Sequence, residues 1–147
     1  MVARAIGVKR QAITDLLRRY GRAEDQVDGW KKFSLGEAMV MSVTGRLIRF
    51  GIRPRLAVAA TWMAEDMILA EATSYQLMSS TGPAPSLSFL VFEVINAAEG
   101  DEEFRISRIT AEQAAKAIPY DNGLAIVMPL MGIADALTSM LPRGEVV

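Results

Sequence analysis

The 147-residue chain has no cysteine and no histidine. Without cysteine there is no disulfide, no thiolate nucleophile and no zinc site of the common thiolate sets. Without histidine it also lacks the most usual general base near neutral pH. Carboxylates and hydroxyls are left as groups for chemistry, and no nucleophile stands beside a base at a defined spacing, so an enzyme is not expected. Long apolar runs are missing too. The longest, "LAIVMPLMGIA" from Leu124 to Ala134, is broken by Pro129 and falls short of the ~18 residues of a membrane span. The amino-terminal stretch carries Arg4, Lys9 and Arg10 without the apolar core of a signal peptide, which predicts an intracellular, cytoplasmic protein with no membrane association. No repeat and no low-complexity segment appears, and no cofactor or metal is implied.

The net charge is only −1, yet the charges are sorted along the chain. Met1 to Leu56 holds twelve Lys/Arg against five Asp/Glu, a balance of +7, while Ala57 to Val147 holds four against twelve, a balance of −8. A basic part joined to an acidic remainder is the pattern of a polyanion-binding module attached to something else. Half of the residues are apolar, enough for a folded core.

Periodicity and capping signals predict four helices before "SSTGPAPS" (79–86), where small residues and two prolines read as a linker. A short helix over Val2–Ile6 is followed by a Gly7–Val8 turn. The next helix, Lys9–Tyr20, places Ile13, Leu16, Leu17 and Tyr20 on one face. After a polar connector (Gly21–Phe33), Ser34 and Glu37 form a capping box. The third helix then runs to Phe50 with Met39, Val43, Leu47 and Phe50 expected to be buried, and Gly51 ends it. Pro54 suits the first turn of a fourth helix continuing past Leu56, Ala60, Met63 and Met67 towards Leu77. Glu65 and Asp66 are expected on its surface. Trp62, Met63 and Met67 read as core or as a dimer interface.

Beyond the linker, "LSFLVFEVI" (87–95) and "EFRISRI" (103–109) have strand composition and flank an acidic loop whose "EGDEE" reads as solvated. Thr110 and Gln113 make a second capping box before a helix that Pro119 terminates. "LAIVM" (124–128) reads as a buried strand, and Gly132–Leu141 as a final helix. The expected fold is α+β, mainly helical at first and then a small mixed segment. The domain division is 1–78, a linker at 79–86, and 87–147.

Ala3, Gly7, Ile13 and Leu16 have the spacing of two helices crossing through a glycine turn. Downstream, "GWKKFSLGEAMVMSVTGRLIRFGIRPRLA" supplies Gly29, Trp30, Lys32, Phe33, Ser34, Leu47, Gly51 and Ile52 in order. This series resembles the wing and following helices of MerR-like winged helix-turn-helix DNA-binding regulators, over about residues 1 to 70. The recognition helix departs from that group, with Thr14, Asp15 and Leu16 where an Arg-Tyr-Tyr cluster is usual. Neither the long dimerisation coiled coil nor the effector cysteines are evident.

The resemblance implies a homodimeric regulator of transcription that binds double-stranded DNA. Lys9, Arg10, Gln11 and Thr14 would meet base edges in the major groove. Arg18, Arg19, Lys31, Lys32, Arg53 and Arg55 would contact phosphate. The acidic 87–147 part would support dimerisation or contact a protein partner. Two alternatives are a phage-type or packaging-associated DNA-binding adaptor and a small-molecule-binding α+β protein without DNA binding.

Overall fold

The computed structural model describes residues 15, 34–81, 88–96, 103–116 and 124–140. The expected helices at 2–6 and 9–20, the connector and the first wing lie outside the described residues, apart from helical Asp15. The described elements are α1 (Leu35–Arg49), α2 (Pro54–Met63), α3 (Glu65–Thr81), β1 (Ser88–Asn96), β2 (Glu103–Thr110), α4 (Ala111–Lys116), β3 (Leu124–Pro129) and α5 (Leu130–Met140). The fold is α+β: helices packed on a three-stranded antiparallel sheet of order β2-β1-β3.

Local chemistry sets both ends of α1. The Glu37 N–H donates to Ser34 Oγ at 3.2 Å, and the Ser34 N–H donates to Glu37 Oε2 at 2.8 Å, so two orphan donors of the first turn are satisfied. At the far end Gly51 takes φ +93°, a conformation that a Cβ disfavours. There the Gly51 N–H donates to Ile48 O and the Ile52 N–H to Leu47 O, both at 3.0 Å, the paired bonds of a Schellman cap. Between these ends α1 packs against α2, α3 and α5 and is buried nearly all round. Gly36 permits the closest approach: a Cβ there would lie 2.5 Å from Leu69 Cδ2 of α3.

Phe50 departs from expectation. Met39, Val43 and Leu47 are buried, but Phe50 is 63% exposed. It caps α1 where the helix has already passed beyond the core, so continuing the 3.6-residue stripe overshoots. The expected single helix from Pro54 to Leu77 is instead two. Ala64 (φ −92°, ψ 0°) closes α2, its N–H donating to Ala60 O at 3.1 Å, and its own carbonyl accepts the Ile68 N–H at 3.0 Å as α3 begins. The bend lets both helices reach α1. It places Glu65 and Asp66 in the first turn of α3, where the helix dipole favours acids. Trp62 and Met63 do not join the core; the bend leaves them 55% and 66% exposed, while Met67 packs against it.

In the sheet, Leu90 and Phe92 of β1 face the helices, joined by Ile126 and Met128 of β3 and, partly buried, Phe104 and Ile106 of β2. Phe92 and Phe104 stack with centroids 5.4 Å apart. The other face holds Glu93 opposite Arg105, an attractive cross-strand pairing, and Val127. β3 is therefore a strand buried on one face rather than on both. The last helix starts at Leu130, two residues before the expected Gly132, directly from the strand. α3 runs to Thr81, three residues into the expected linker. Residues from both sides of 79–86, among them Val43, Ile68, Phe92 and Leu137, share one hydrophobic core. No described helix is long and apolar enough to cross a membrane.

Candidate nucleic-acid interface

Of the ten residues expected to touch DNA, Lys9, Arg10, Gln11, Thr14, Arg18, Arg19, Lys31 and Lys32 lie outside the described residues. Arg53 and Arg55 are described, and both are exposed. They sit at the N-cap and the second position of α2, beside the corner made by the Schellman turn. Two further arginines meet them there. Arg46 and Arg49 occupy the last turn of α1, half-buried and exposed respectively. Sequence reasoning passed over this second pair. Its signal was available: between Glu37 and Glu65 the chain contains four arginines and no acidic residue.

The two pairs differ in what helix electrostatics explains. Arg46 and Arg49 lie at a helix C-terminus, where the dipole favours cations. Arg53 and Arg55 lie at a helix N-terminus, where it opposes them, and no side chain caps that end. Helix stability therefore accounts for the first pair and not for the second. The corner as a whole concentrates positive charge where guanidinium groups can fork onto phosphate oxygens.

Elsewhere, buried polar groups fasten the helices to one another and to the sheet. Thr61 donates to Ala57 O at 2.7 Å, which leaves its oxygen to accept from Thr44 Oγ1 at 3.0 Å across the α1–α2 contact. Glu71 of α3 is 2% exposed. Its Oε1 accepts from Ser88 Oγ at 2.6 Å, and its Oε2 meets Arg108 Nη2 at 2.6 Å. That second contact is close but lacks hydrogen-bond direction, so Oε2 depends on charge attraction to Arg108. Among the described residues, no three of His, Cys, Asp and Glu gather as a metal site.

Tyr75 of α3 donates to Asp135 Oδ1 of α5 at 2.9 Å. Burial raises its phenol above the usual value of 10.0, and the bond to Asp135 raises it further, while one to Thr138 works the other way. A group with a raised folded-state pKa contributes its stability fully below the unfolded value, and loses it as pH rises through the folded one. The stability difference between wild type and Tyr75→Phe should thus be constant up to about pH 10 and shrink above it. Urea midpoints across that range check this, and a difference unchanged at about pH 11 would contradict it.

Comparison with protein-family models, curated proteins and solved structures finds no match for this chain.

Proposed function

We propose that the protein is a sequence-specific, double-stranded-DNA-binding regulator of transcription, acting in the cytoplasm as a homodimer, with the segment Lys9–Tyr20 reading the major groove. The observation that carries this reading is the stretch from Ala38 to Ala64, which has no acidic residue and places Arg46, Arg49, Arg53 and Arg55 about one turn, with three of the four exposed. These arginines lie in the same half of the chain as the +7 charge balance. The MerR-like order of Ser34, Leu47, Gly51 and Ile52 also supports it. These residues form the cap and terminus of α1, and the arginines of the second-wing position follow directly. In this reading the basic half binds DNA, and the acidic 87–147 part supports dimerisation or contacts a protein partner.

Affinity would come largely from counterion release, so log K should fall with log salt at about −0.9 per phosphate neutralised. On duplexes selected from a random pool, Arg10→Glu is expected to abolish selective binding in a gel-shift assay. Lys32→Ala should weaken all sequences alike. Intact selective binding by Arg10→Glu would remove the recognition-helix assignment, and failure to bind any duplex at low salt would remove the whole reading. Sedimentation as a monomer at micromolar concentration would remove the dimer.

A further inference from the structure

We propose that Phe50 is an apolar wedge, which the arginine corner presses into a base step of duplex DNA. The inference rests on the DNA-binding reading and adds what the corner does to the bound duplex. Phe50 is 63% exposed, with no other described hydrophobic side chain beside it at the turn comparably bare. It is also held firmly. Its N–H donates to Arg46 O at 3.0 Å, and the bonds of Gly51 to Ile48 O and Ile52 to Leu47 O fix the backbone just after it. Leu47 is 1% exposed and Ile52 packs against the same core, so the turn is anchored from below. The cap fixes the backbone that carries the phenyl group, and so fixes where the exposed ring projects from the protein.

The surroundings select the partner. Arg46 lies one helical turn before Phe50, Arg49 adjoins it, and Arg53 and Arg55 follow across the turn, with no carboxylate from Ala38 to Ala64. A bare aromatic ring on a turn that also carries four arginines fits a surface that pairs an apolar slot with flanking anions. A partly unstacked base step between phosphates is such a surface, and apolar wedges flanked by arginine are a known means of kinking duplexes. An anionic membrane also pairs apolar and negative groups, but adsorption there is strengthened by several apolar side chains entering together. The corner offers one exposed ring on a hydrogen-bonded turn. Trp62 and Met63 lie at the opposite end of α2, about 12–13 Å of helix beyond Pro54. Arginine also matches phosphate as a planar fork, which suits a fixed lattice of phosphates.

The test uses the full chain and a short duplex recovered by selection, end-labelled for energy transfer and carrying 2-aminopurine at successive positions. Wild type should shorten the end-to-end distance and brighten 2-aminopurine at one step. Phe50→Ala should abolish both signals and weaken binding about tenfold, with the salt slope unchanged because every cation remains. Phe50→Leu should retain part of the bend. Arg53→Ala should instead lower the salt slope by about one and keep the bend. Because Phe50 is exposed, its loss should leave the urea midpoint unchanged, which separates the effect from misfolding. Wild-type binding without bending, or Phe50→Ala bending the duplex as wild type does, overturns the wedge while leaving DNA binding intact. Absence of duplex binding at low salt overturns the functional reading itself. In that event, vesicles of phosphatidylserine and phosphatidylcholine that bind wild type and release Phe50→Ala would reassign the corner to a membrane surface, and equally overturn the wedge.

Discussion

Arg108→Ala is expected to destabilise the fold by about 3 kcal/mol, more than Glu71→Ala, although the two residues form a single ion pair. The asymmetry follows from burial. Glu71 is 2% exposed, whereas the Arg108 side chain is 42% exposed. Without Arg108 the carboxylate stays enclosed, with only the Ser88 hydroxyl on Oε1 and nothing to balance Oε2. The cost is the desolvation of an unpaired charge, and half-exposure of the arginine places it at the lower end of the usual range. Without Glu71 the guanidinium can turn outward to water. The remaining losses are then a small cavity and an unsatisfied Ser88 hydroxyl, about 2 kcal/mol together. Replacing both partners by apolar residues, as in Glu71→Leu with Arg108→Met, should recover most of the loss. Urea denaturation of the three variants checks the order. If Glu71→Ala proved the costlier change, the pair would be anchored by its arginine, and the argument from burial would fail.

That pair also shows where sequence reading stopped. Signals written within four or five residues were legible: the Ser34–Glu37 and Thr110–Gln113 boxes, the Gly51 terminus, Pro54 at a helix start and the two strands of the hairpin all occur as expected. The caps and helix ends depend on a backbone donor meeting a nearby side chain or on φ at one residue, and the strands on β-branched and aromatic composition along a short run. What was not legible depends on residues far apart in sequence. Glu71 lies seventeen residues from Ser88, and only the strand register brings Arg108 onto the same face. The bend at Ala64 has no glycine or proline to mark it. Ala64 is fully buried at the break. At the arginine corner the sequence already carried its signal in four arginines with no acidic residue between Glu37 and Glu65, whereas the position of Arg46 and Arg49 beside the start of α2 follows from where α1 ends. The proline-rich segment at 79–86 marks an interruption of local structure, but local composition could not reveal that the same core continues on both sides of it.

This shared core makes the effect of Phe92→Ala both large and global. Phe92 lies in the central strand at 2% exposure and stacks on Phe104 at an interplanar angle of 26°. Truncating a buried phenylalanine costs about 3–5 kcal/mol through lost transfer energy and the cavity left behind. Loss of the aromatic pair adds about 0.5–1.5 kcal/mol. Such a loss is a large share of the ~5–15 kcal/mol that stabilises a domain. The core joins Phe92 to Met39, Val43 and Leu47 of α1 and to Ala60 of α2, so the damage should not stay within the sheet. In a Trp30→Phe background, Trp62 on α2 is the sole tryptophan and reports on the helical part, while far-UV circular dichroism reports on the whole. Both urea midpoints should fall together in Phe92→Ala, and Phe92→Leu should lie between the variants because it leaves a smaller cavity. If the Trp62 transition held its wild-type midpoint while the sheet unfolded early, the helices would have a core of their own. Coincident transitions would instead mean that the arginine corner is held in shape, in part, by a side chain in the acidic half of the chain.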